Sequence, residues 1–91
     1  MGQYTNKDNL HRRLRKIVGQ VQAVDRMVEE GRSCEDILTQ ISATKAAIHS
    51  CAKIILTDYI KQCMEDGIKQ GDTEKAVENF TLALDRFLSI N

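Results

Sequence analysis

Three cysteines, Cys34, Cys51 and Cys63, carry the most reactive chemistry in this 91-residue chain. A thiolate can ligate a soft metal, attack an electrophilic sulfur or close a disulfide, whereas a buried thiol simply packs as a small apolar group. Three is an odd number and fits no framework of structural disulfides. Tyr59 stands one helical turn before Cys63, where a ligand could sit, but a phenol is a hard, mostly protonated group at neutral pH and a poor soft-metal donor. The only imidazoles belong to His11 and His49. No acid–base pair or nucleophile–base constellation stands out, so the chain does not read as an enzyme, and no cofactor is implied.

The elements that must position these thiols are helices. Pro and Trp are absent, aromatics are few, and no stretch alternates as a strand would. Leu10, Leu14, Ile17, Val21, Val24 and Val28 recur at alternating spacings of four and three, which predicts a first helix over about residues 5–30, closed by Gly31. Ser33 reads as the N-cap of a second helix, with Glu35 and Asp36 in the first turn, where acids complement the helix dipole. No Pro or Gly interrupts residues 34–65, and Ile37, Leu38, Ile41, Ile48, Ala52, Ile55, Tyr59 and Cys63 share one broad face. Gly67 and Gly71 bracket an expected turn, Asp72 is a candidate N-cap, and Val77, Phe80, Leu84 and Phe87 predict a third helix over 73–89. The expectation is a single all-α domain over 1–91: a three-helix protomer with a long central helix. So short a chain has little apolar area to bury alone, and the apolar face of the second helix asks for a second copy.

On that helix Cys34 and Cys63 lie within roughly 20° of each other around the axis but on the order of 43 Å apart along it. They cannot meet within one chain. In an antiparallel two-fold pairing with the dyad between Ile48 and His49, residue i faces residue 97 − i, and Cys34 faces Cys63 of the partner subunit. The geometry is equally compatible with two unrelated apolar cysteines that share a face. Cys34 occupies a helix's first turn, where free N–H groups favour a thiolate, although Glu35 and Asp36 oppose that effect. Cys51 lies about 100° away, on a flank expected to be buried and inert.

Charge is unevenly spread. Residues 1–22 hold Lys7, Arg12, Arg13, Arg15 and Lys16 against Asp8, a local charge of +4 in a chain of zero net charge. Such a face is either ordinary solvated surface or a phosphate-contacting one that symmetric assembly would repeat. No known DNA-docking module is visible. The longest aliphatic run, Ile54-Ile55-Leu56, is far too short to span a membrane, and no secretory signal is seen, so the expected location is cytoplasmic.

Three motifs then carry a resemblance over essentially the whole chain. R-R-L-R-K-I-V-G-Q-V (12–21), R-M-V-E-E-G-R-S-C (26–34) and L-T-Q-I-S-A-T-K-A-A (38–47) are similar to the CsoR/RcnR/FrmR family of copper-, nickel/cobalt- and formaldehyde-sensing repressors. The resemblance implies a dimer of antiparallel long helices, assembled into a flat homotetramer. It also implies operator DNA binding that is lost when an inducer occupies an intersubunit site. The copper sensors place a His four residues before the second Cys, and here the matching set is Cys34, Tyr59 and Cys63. The N-terminal His of the nickel/cobalt sensors has no counterpart at Gln3 or Tyr4, and the N-terminal Pro of the formaldehyde sensors is replaced by Gly2. What is left resembles the persulfide-sensing CstR-like branch. That implies a hydropersulfide or polysulfide inducer and a disulfide or polysulfide bridge between Cys34 and Cys63 of the partner subunit. The alternative is a copper(I) repressor with a two-thiolate site, since Cu(I) accepts two soft ligands. Ser50 stands where many members carry Arg, so the expected DNA contacts are Arg12, Arg13, Lys16 and Lys53.

Overall fold

The computed structural model describes residues 7–90, apart from the side chains at positions 67, 68 and 70. Its elements are three helices, α1 (Lys7–Glu29), α2 (Cys34–Gln70) and α3 (Thr73–Leu88), with no strand among the described residues. The all-α expectation is therefore met. The expected start of the first helix at about residue 5 falls outside the described residues.

The helix ends follow from local chemistry. Gly31 adopts φ 68°, the left-handed conformation that only glycine takes without a Cβ penalty, and it stops α1. Ser33 caps α2, its Oγ accepting the Asp36 N–H at 3.1 Å. Asp72 caps α3 in the same way, its carboxylate accepting the Lys75 N–H at 3.1 Å. One boundary differs from expectation. Gly67 does not open a turn, and α2 continues through it to Gln70. A glycine within a helix costs only about 1 kcal/mol relative to Ala, too little to stop a helix already under way. The chain turns at Gly71, whose φ of 70° takes it out of the helical region.

The chain forms two compact units, one comprising Asp8–Cys51 and the other beginning at Ala52. The first holds α1 and the N-terminal part of α2. Leu10, Ile17 and Cys51 are its buried apolar residues, and Thr44 is buried with its hydroxyl donating to the Gln40 carbonyl at 2.9 Å. The second holds the rest of α2 and α3, with Ile60, Cys63, Phe80, Leu84 and Phe87 half-buried. Helices α1 and α3 are sharply amphipathic, whereas over its 37 residues α2 as a whole is less so. An apolar face on a helix calls for cover by a neighbour. Leu38, Ile41, Ile48, Ile55 and Tyr59 nevertheless stand 37–57% exposed along it. No helix among the described residues is long and apolar enough to cross a membrane.

Candidate functional site: two unequal thiols and a basic groove

Cys34 is the first residue of α2 and is exposed. Its neighbourhood is polar. Asp36, one of the two first-turn acids, is held by the guanidinium of Arg32 at 3.3 Å, which partly offsets the negative charge beside the thiol. Exposed pairs of this kind contribute only a few tenths of a kcal/mol, so the contact shapes local electrostatics more than stability.

Cys63 sits near the other end of the same helix, half-buried. Its thiol lines a cavity of about 250 Å³ together with Ile60 and Met64 of α2 and Ala76, Val77 and Phe80 of α3, with Thr73 at its edge. Among the described residues, no charged side chain lines this cavity. A soft or neutral partner is favoured there, because a bare ion would lose its hydration without replacement. Tyr59, one turn earlier, does not line it and is 37% exposed on the helix. Twenty-eight residues of helix separate Cys34 from Cys63, and a helix cannot fold back to bring them together. Among the described residues, no group of three or more His, Cys, Asp or Glu is placed to hold a metal ion.

Cys51 is 3% exposed. It packs as a small apolar residue, in line with the sequence expectation. His11 is exposed, and His49 is half-buried.

The basic residues of α1 build a second feature. Arg12, Arg13 and Lys16 line a groove of about 440 Å³ with Ile17, Gln20, Ala47 and Ser50. Asn9 arranges two of them, its side-chain carbonyl accepting from Arg12 at 2.7 Å and from Arg13 Nε at 3.4 Å. Arg15 does not line this groove. Ser50 lines the same groove, so a small hydroxyl stands there where many members of the family that the chain resembles carry Arg. Lys53 lies in a separate, smaller groove with Ile54, Thr57, Asp58 and Lys61. Sequence reasoning missed Gln20, Lys61 and Met64. The regular spacing of Lys53, Thr57 and Lys61, one per helical turn, is a readable signal for the second. Its direct adjacency to Cys63 is the signal for the third.

The family of metal-sensitive transcriptional repressors matches residues 6–86. This chain belongs to that family. Among its relatives, the copper-sensing repressor CsoR of Bacillus subtilis is 42% identical over 81 residues, covering 89% of this chain and 80% of that protein. The copper-sensing repressor RicR of Mycobacterium tuberculosis is 40% identical over 70 residues, covering 77% and 73%. A homologue of the repressor RcnR from Escherichia coli is 29% identical over 79 residues, covering 87% of this chain and 84% of that protein. Among solved structures, the nickel-responsive regulator InrS superposes with a TM-score of 0.86 at 32% identity, covering 93% of this chain and 96% of that one. The chain is thus a transcriptional repressor by family. CsoR and RicR are copper-sensing repressors and InrS is nickel-responsive, so the relatives named here sense metals, whereas the sequence reading expected reactive sulfur with copper(I) as the alternative.

Proposed function

We propose that this chain is an operator-binding repressor released by a soft, thiol-directed inducer taken up between Cys34 of one subunit and Cys63 of the partner subunit. The observation that carries the reading is the exposed apolar stripe of α2, which ends in these two thiols. Pairing two copies of the stripe antiparallel buries it and sets each Cys34 against a Cys63, giving two equivalent sites per dimer. Two such dimers make the flat tetramer, and Arg12, Arg13 and Lys16, with Lys53, contact operator phosphates.

Copper(I) is the inducer that the relatives favour. Two thiolates match its softness, and the hydrophobic wall around Cys63 suits a singly charged, weakly hydrated ion. A second reading rests on one residue. Tyr59 occupies the place where a copper sensor supplies an imidazole, and a pair of thiols without it is suited to sulfur chemistry. In that reading the Cys34 thiolate takes the outer sulfur of a hydropersulfide and releases a thiol. Cys63 of the partner subunit then attacks the Cys34 sulfur and expels hydrosulfide, leaving a disulfide between subunits. Either event biases the assembly away from the arrangement that presents its basic grooves to DNA.

Fluorescence anisotropy with the chain's own promoter region decides between them. Reduced protein is expected to bind and to be released by one equivalent of Cu(I) per chain under anaerobic conditions. Release by a polysulfide donor with a Cys34–Cys63 crosslink on non-reducing gels, and none by Cu(I), transfers the assignment to reactive sulfur. Absence of salt-sensitive promoter binding would falsify both.

A further inference from the structure

We infer that Met64 supplies a third sulfur donor to Cu(I) at this site, in place of the imidazole that Tyr59 does not provide. The inference rests on the copper(I) reading above and deepens it. Met64 directly follows Cys63, and both side chains line the same apolar cavity at the end of α2. Although large and apolar, Met64 is 63% exposed, so its thioether is not committed to a packed core. Adjacent helical residues diverge by about 100°, which normally stops them converging. Methionine has three rotatable bonds and a polarisable sulfur near the far end, so it can reach around the Cys63 thiolate as a Leu or Ile could not.

The chemistry of the wall agrees with this donor set. Thioether and thiolate sulfurs both select Cu(I). The surrounding Ile60, Val77 and Phe80 offer no harder donor, and the Thr73 hydroxyl is a poor match for a soft ion. Two thiolates, one from Cys63 and one from Cys34 of the partner subunit, with a neutral thioether give the ion three-coordinate sulfur ligation. Binding releases the two thiol protons and changes no oxidation state. The structural alternative is that Met64 only fills space in the wall between α2 and α3, and Met64→Leu separates the two cases. Leucine is close in volume and keeps the wall, but it removes the sulfur.

The test is anaerobic Cu(I) titration of the reduced full-length protein against a colorimetric Cu(I) chelator, with X-ray absorption on the loaded protein. The wild type is expected to show three sulfur scatterers and M64L two. The Cu(I) affinity of M64L is expected to fall by at least about tenfold, since losing a ligand should cost no less than losing a group that only orients one. In a Tyr59→His background an imidazole replaces the thioether, so the same Met64→Leu change should lose most of its effect. Equal affinity and an unchanged sulfur count in M64L overturn the role of Met64 and leave the copper reading standing. Failure of the wild type to compete for Cu(I) at all overturns both.

Discussion

The two compact units offer their surroundings opposite chemistries. Residues 8–51 present a groove walled by three cations, an amide and a hydroxyl, with the exposed Cys34 thiol among charged neighbours. From Ala52 onward the chain instead presents a nearly apolar cavity with a half-buried thiol and a thioether in its wall. In the reading proposed above, the first unit meets a hard, multiply charged polyanion and the second a soft partner that carries little charge. The lesson is that the two cysteines proposed to share a site are not equivalent. Cys34 comes from the polar unit and is open to reagents. Cys63 comes from the apolar unit and is half-buried in its cavity wall.

The sharpest way to break this contrast is to remove each thiol in turn. Cys34→Ser and Cys63→Ser should each abolish the inducer's effect on DNA affinity while leaving promoter binding close to wild type. In the reduced wild type, iodoacetamide labelling followed by peptide mass spectrometry should modify Cys34 faster than Cys63. Equal rates would erase the distinction. Next in size is the apolar stripe. Ile41→Asp sets a carboxylate on the face proposed to be shared, at a cost of several kcal/mol if that face is buried. Analytical ultracentrifugation should show dissociation of the dimer, and an unchanged sedimentation coefficient would place the interface elsewhere.

Smaller effects probe the basic groove. Arg13→Ala should weaken promoter binding and flatten the dependence of log K on log salt by about 0.9 for each phosphate that is no longer neutralised. The same change should leave Cu(I) uptake untouched, since no charged side chain lines the Cys63 cavity. The smallest expected effect is on the turns. Gly31→Ala and Gly71→Ala place a Cβ at φ 68° and φ 70°, where nothing lies within 4 Å to clash. Each should cost only the backbone strain of about 1 kcal/mol, read as a modest drop in Tm. A much larger drop at one of them would show that its turn also braces an interface.

Much of this is legible from residue types and spacing. Gly31, Ser33 and Asp72 announce helix ends because their side chains or lack of them answer a specific need of the backbone, and each performs that role here. Cys51 is buried as its position around the helix implies. Gly67 misleads because a glycine signals a stop only where a positive φ is required, and a linear sequence does not say where that is. The alternation in α1 is visible, but not that Leu10 and Ile17 are buried while Leu14, Val21 and Val28 stay exposed. That choice depends on which face finds a neighbour. Met64 escapes a reading by periodicity because its place depends on a wall completed by α3, and the pattern within one helix says nothing of that. Inducer identity is the least legible, since one side chain, Tyr59, argues against the ligand set that the metal-sensing relatives suggest.

The burial of Cys51 has a practical use apart from any inducer. Two thiols of this chain are at least partly open to solvent and one is not, so the rate at which Cys51 reacts with an excess of thiol reagent times the opening of the fold around it. The chain thus contains its own stability clock. It needs no engineered probe, and it should slow whenever assembly, DNA or inducer tightens the structure around that cysteine.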